Sequence, residues 1–145
     1  MLSNTSRYAI RALIYLAIHA DSNKKIGIKK IAEDLDIPSP FLGKILQTLA
    51  RQKIVASTKG PNGGFRATES TLNVNLISII RIIDGDDLFD RCLITNKICS
   101  DTENSPCALH NYYTSIRNNI KTMFSGHTIG TLAQEFIVSG KKLEL

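Results

Sequence analysis

The sequence predicts a mainly α-helical chain carrying one small β-hairpin, and three observations carry that prediction. Apolar residues recur at helical spacing over residues 5–20, 28–35, 40–52, 75–85 and 108–124. Between residues 54 and 68 that period gives way to two short β-like runs, IVAST and FRAT, around KGPNGG. With 43% hydrophobic and 21% charged residues, a chain of 145 residues has the composition of a globular domain and the length to bury a core. It has no Trp and only nine Tyr and Phe, so Ile and Leu must fill that core.

The elements follow in order. TSRYAIRALIYLAIHA (5–20) is apolar around most of its circumference and predicts a largely buried helix. The run Tyr8–Ile18 resembles a signal-peptide core, but Arg11 interrupts it and Ala12–Ile18 is too short to span a bilayer, so it reads as a buried helix; the expectation is a cytoplasmic protein with no membrane partner. IKKIAEDL (28–35) places Ile28, Ile31, Ala32 and Leu35 on one stripe, and the two prolines of DIPSP end it. Ser39 as N-cap and Pro40 at the first helical position open the next helix, with Leu42, Ile45, Leu46 and Leu49 turned inward. Glycine, asparagine and proline in KGPNGG mark a tight hairpin tip. NLISIIRIIDG (75–85) reads as a helix closed by Gly85. ALHNYYTSIRNNIKTMF (108–124) is a further helix with Leu109, Tyr112, Tyr113, Ile116, Ile120 and Phe124 as an apolar face, and Thr128 caps a last short helix.

Helix, short helix, turn, helix and hairpin is the order of a winged helix-turn-helix. Its charge agrees with a polyanionic partner. Residues 1–66 hold eleven Lys and Arg against four Asp and Glu, whereas residues 67–145 hold seven against nine. A helix start held outward fits the DNA major groove, so Ser39, Pro40, Phe41 and Lys44 are the candidate base-reading residues. Lys59 and Arg66 flank the glycine-rich hairpin as candidate phosphate or minor-groove contacts. One recognition helix reads only a few base pairs, so a homodimer on double-stranded DNA is expected, paired through the helix 108–124. The organisation read from this is a DNA-binding domain at 1–84, a cysteine-rich loop at 85–107 and a dimerisation helix with C-terminal segment at 108–145.

All three cysteines lie in CLITNKICSDTENSPCALH, with the spacing C-x6-C-x7-C-x2-H over Cys92, Cys99, Cys107 and His110. An odd number of cysteines without an export signal argues against a disulfide framework. Three thiolates and an imidazole suit structural zinc or an iron–sulfur cluster, and three exposed thiols would also serve as a redox switch. Asp101 and Glu103 are alternative oxygen donors in the same loop. The neighbouring DGDDLFD (84–90) lacks the ligand pattern of a calcium loop and reads as a solvated acidic turn. No thiol has a base beside it beyond His110, so an enzyme is not expected.

SRYAIRALIYLA, IAEDLDIPSPFLGKILQTLARQKIV, TKGPNGGFRAT, IIRIIDG and the closing PCALH together resemble the Rrf-type winged-helix transcription regulators, which include IscR-like iron–sulfur regulators and NsrR-like nitric-oxide sensors. The resemblance spans nearly the whole chain. It implies a homodimeric repressor whose [2Fe–2S]-type cluster is held by Cys92, Cys99 and Cys107, with His110 matching the fourth ligand of the IscR-like branch. It implies that cluster, redox or nitric-oxide status governs which DNA is bound. Two positions depart from that branch: Gly43 stands where IscR-like members carry a Glu, and Lys59 where an Arg is usual. The cysteine gaps are also wider than in the better-known members, and a structural zinc or a cluster-free thiol switch is the alternative.

Overall fold

The computed structural model describes residues 2–20, 24–95, 97–98 and 107–140, and Cys99, Asp101 and Glu103 lie outside them. The observed order is α1 (Asn4–Ile18), α2 (Ile28–Asp34), α3 (Ser39–Arg51), β1 (Val55–Thr58), β2 (Gly64–Ala67), α4 (Glu69–Asn73), α5 (Leu76–Asp84), a 3-10 helix (Asp86–Phe89), α6 (His110–Gly126) and α7 (Ile129–Ser139). A mainly helical chain with one antiparallel hairpin is what the sequence pattern predicts.

The first helix is the centre of the core. Ala9, Ala12, Leu13, Ile14, Tyr15, Leu16 and Ala17 are all buried, and α3, α5 and α7 pack around them. Ser3 caps α1 by accepting from the Ser6 amide, while the Asp84 carboxylate accepts from the Ser3 and Ser6 hydroxyls at 2.5 and 2.7 Å. A carboxylate at a helix N-terminus also complements the helix dipole. The end of α5 is thereby fastened to the start of α1.

The turn between α2 and α3 depends on Asp36, whose φ of 50° takes the left-handed conformation that ends α2. The start of α3 differs from expectation by one residue. Pro38, not Ser39, occupies the N-cap, and no side-chain cap bond is made there. Ser39 and Pro40 are the first two helical residues, and the Pro38 carbonyl accepts from the amides of Phe41 and Leu42, both at 3.0 Å. The first helical amides lack intrahelical partners, so Pro40 leaves no bond unmade.

Val55 pairs with Ala67 and Thr58 with Gly64 at the two ends of the hairpin register. Ile26 and Phe65 exchange both backbone hydrogen bonds at 2.8 and 2.9 Å, which ties the hairpin to the chain entering α2. Gly64 is needed at that seam, since a Cβ there would stand 2.5 Å from the Ile26 carbonyl oxygen.

Two short elements were not legible in the pattern, α4 and the 3-10 helix. Thr68 caps α4 in a reciprocal box with Thr71, and both hydroxyls donate to the Ile54 carbonyl. The chain's last helix returns to the first. Thr128 caps α7 as expected, and Ile129 and Ala133 are buried against the α1 side of the core. Thr128 bridges Asn75, so α7 completes the hydrophobic core built by the first half. The expected apolar face of α6 divides in two. Phe124 is buried beside Phe89, with centroids 5.9 Å apart, whereas Leu109, Tyr112, Ile116 and Met123 lie exposed on a separate stripe. Among the described residues no helix is long and apolar enough to cross a membrane.

Candidate nucleic-acid interface and thiol site

The amphipathic period of α3 decides what it presents. Leu42, Ile45, Leu46 and Leu49 are buried, which leaves Pro40, Phe41, Lys44 and Gln47 exposed and Ser39 half-buried at the helix start. Phe41 is 40% exposed, a large apolar side chain that the described residues leave partly uncovered. The Lys44 ammonium stands one turn further along the helix.

The hairpin divides the other two candidates. Lys59 is exposed at the tip, beside Gly60, whose φ of 108° only glycine adopts without strain. Arg66 is not at the tip. It lies half-buried within β2, opposite Ala56, and already makes an interaction within the fold. Of the lysines in the first half, Lys30 is engaged with Asp34 at 2.7 Å, while Lys29 borders a groove of about 420 Å3 between the start of α2 and the wing.

The cysteines are positioned by two local devices. Arg91 bridges Ile98, and the Cys92 amide donates to the Lys97 carbonyl at 2.7 Å, which closes the chain into a tight loop after the 3-10 helix. Within it the Cys92 sulfur accepts hydrogen bonds from the Thr95 side chain first, then from the Thr95 and Ile94 amides and the Cys107 thiol, and these pull its pKa down to about 6. Cys92 is only 8% exposed. Cys107 sits just before α6, and its carbonyl accepts from the His110 amide at 3.0 Å, so both begin one helical turn.

The structure therefore brings Cys92 and Cys107 together. It does not bring the His110 imidazole to them as a third ligand: among the described residues no group of three His, Cys, Asp or Glu side chains comes within reach of one metal ion. A cleft of about 490 Å3 adjoins Cys92, lined by Leu88, Phe89 and Cys92 on one side and Tyr113, Ile116 and Arg117 of α6 on the other. A thiolate-stabilising nest beside a second thiol is chemistry suited to a soft metal or an iron–sulfur group.

The family model described as Rrf2, iron-dependent transcriptional regulator, matches residues 2–135 of this chain. The chain belongs to the Rrf2 family of transcriptional regulators. It is 33% identical over 132 residues to a protein of Aquifex aeolicus named as an HTH-type transcriptional regulator, a match covering 91% of this chain and 90% of that protein. Among solved structures it resembles CymR, the global cysteine regulator of Bacillus subtilis, at a TM-score of 0.75 and 21% identity over 93% of this chain and 97% of that one. It also resembles T. potens IscR at a TM-score of 0.71 and 17% identity, covering 99% and 93%. At those identities the two structures establish the winged-helix fold alone. Rrf2 proteins are DNA-binding regulators, not enzymes.

Two residues near the interface carried no functional signal in the sequence. Tyr8 and Arg11 lie on α1, inside a run read as core, yet the Tyr8 ring packs on Phe41 and the Arg11 guanidinium lies over Tyr8.

Proposed function

We propose that this Rrf2 regulator is a homodimeric repressor that binds operator DNA and responds to iron–sulfur, redox or nitric-oxide status through a [2Fe–2S]-type cluster. The observation that carries the sensing half is the hydrogen-bonded pair Cys92 and Cys107, with the Cys92 sulfur held as a thiolate by the turn 93–95. Cys92, Cys107 and, from outside the described residues, Cys99 would hold the cluster, with His110 as fourth ligand. The cluster would supply a redox-active and nitric-oxide-reactive centre. The chain itself supplies the sulfur nest and the junction between the 3-10 helix and α6.

On the DNA side, Ser39, Pro40, Phe41 and Lys44 meet the major groove and Lys59 the minor groove or its phosphates. Arg66 acts from the body of the wing rather than its tip. The unit 1–84 reads DNA, the loop 85–107 senses, and α6 pairs the subunits. The exposed stripe Leu109, Tyr112, Ile116 and Met123, spaced three, four and seven apart, is the surface a second copy would cover. The protein works in the cytoplasm.

A second reading rests on the same pair. Two thiols in hydrogen-bond reach, one of them acidic, also suit zinc or a thiol switch that works without a cluster. Purification under strict anaerobiosis, followed by visible absorption and iron, sulfide and zinc analysis, separates the readings. A coloured protein with two irons and two sulfides per chain is expected. A colourless protein with stoichiometric zinc, or with no metal after reconstitution, overturns the cluster.

A further inference from the structure

The start of α3 is held from behind. The edge of one ring meets the face of the other where Tyr8 of α1 packs on Phe41, with centroids 5.8 Å apart and planes at 87°. The Arg11 guanidinium lies 5.6 Å from the centre of the Tyr8 ring, and its Nη2 donates to the Leu35 carbonyl at 2.5 Å. Leu35 closes α2, immediately before the left-handed Asp36 that sets the turn. One side chain of α1 thus grips the turn while the next orients the most exposed apolar group of α3.

This arrangement is more than core packing. Phe41 is 40% exposed, so burial alone does not choose its rotamer, and on α3 itself its neighbours at 40 and 44 are exposed as well. Edge-to-face pairing is directional, and it favours one ring orientation over the others the helix start allows. A ring fixed before binding loses less freedom on contact with a base step, and it meets only bases that present a methyl at that spot.

We infer that Tyr8 and Arg11 are positioning residues for base reading: α1, through the Arg11–Tyr8–Phe41 stack, sets which base step Phe41 packs against. The inference rests on the proposal that Phe41 contacts DNA. It makes sequence preference depend on a residue that faces the helix from behind, in a segment whose pattern reads only as core.

The test uses the full-length protein. A preferred duplex is selected from a random pool by the wild type, and each thymine in it is replaced by uracil, which removes only the 5-methyl group. The wild type should show one position where this costs about 3- to 10-fold in affinity, the size expected of one oriented aromatic contact. Phe41→Ala should abolish that penalty. Tyr8→Phe, which keeps the ring, should retain it. Tyr8→Leu and Tyr8→Met, confirmed folded by thermal melting, should lose most of it while the salt dependence of binding stays the same. A full penalty in the folded Tyr8→Leu or Tyr8→Met protein overturns the inference. So does a Tyr8→Phe protein that loses affinity equally on every duplex whatever its thymines, because the hydroxyl would then be touching the DNA backbone itself. If Phe41→Ala leaves every thymine penalty in place, the underlying reading of Phe41 fails and the inference falls with it.

Discussion

The Cys107 thiol hydrogen-bonds to the Cys92 sulfur, linking the loop after the 3-10 helix to the residue that leads into α6. The same two segments are joined by the Lys121 ammonium, which donates to the Asp90 carboxylate at 2.6 Å, and by the contact of Phe89 with Phe124. The loop continues from α5, whose end is fastened to the start of α1 through Asp84. Under the proposed function, a change at the sulfur pair would bear on α6 and, through α5, on the helix that backs the proposed DNA-reading surface.

The α6 stripe gives the most direct prediction about assembly. Tyr112 and Ile116 are 75% and 55% exposed although both are large and apolar. Replacing Ile116 by Glu should convert a dimer into a monomer, read by light scattering on an eluting column, with the circular dichroism of the subunit unchanged. A dimer that survives the Ile116→Glu and Tyr112→Glu double variant places the interface elsewhere.

Lys59 is exposed at the wing tip, and residues 54–67 of the hairpin contain no Asp or Glu. Lys59→Ala should weaken operator binding across all sequences and lower the slope of log affinity against log salt by about one. An unchanged slope removes Lys59 from the phosphate contacts.

Gly64, like Gly63 beside it, is a residue the wing cannot replace. Gly64→Ala puts a methyl 2.5 Å from the Ile26 carbonyl, and backbone must shift to admit it. The expected loss is about 1–3 kcal/mol of stability by denaturant unfolding, the usual range for an overpacked site. Gly43→Ala, where the space is open, is the matched control and should cost nothing of that kind.

Asp34 supplies a pH dependence. The hydrogen bond from Lys30, then that from Tyr15, holds its carboxyl below the ordinary range. A carboxyl whose folded pKa is depressed contributes stability that is present above its unfolded value and lost as pH falls through the folded one. Asp34→Asn should therefore flatten the acid limb of the stability profile below about pH 4 and leave the neutral plateau less affected. An identical acid limb in the variant would show that the Lys30–Asp34–Tyr15 set does not contribute.

The helix-turn-helix and hairpin were legible because each has a strong local cause. Periodic Ile and Leu drew α1, α3 and α5, and the glycines drew the wing. What failed was of two kinds. The α4 segment ESTLN is short and polar, and its cap uses Thr71 where a Glu or Gln would have signalled a helix start. Ser39 carries the chemistry of an N-cap, yet Pro38 takes that place and Ser39 is already helical. At the site, the sequence named Cys92 and Cys107 but not the Thr95 and Ile94 donors, which come from a turn with no periodic signature. Nor did it single out Tyr8, whose aromatic ring in a buried run looks like any core residue until the tertiary contact with Phe41 exists.

The central claim is that the thiol site governs DNA binding. Its most direct test is operator affinity measured anaerobically and after oxidation, for the wild type and for the Cys92→Ala, Cys99→Ala, Cys107→Ala triple variant. The account predicts that the wild type changes its affinity or its preferred sequence between the two conditions, while the variant binds alike in both. A wild type and a variant that bind the same operator with the same affinity under both conditions would contradict it.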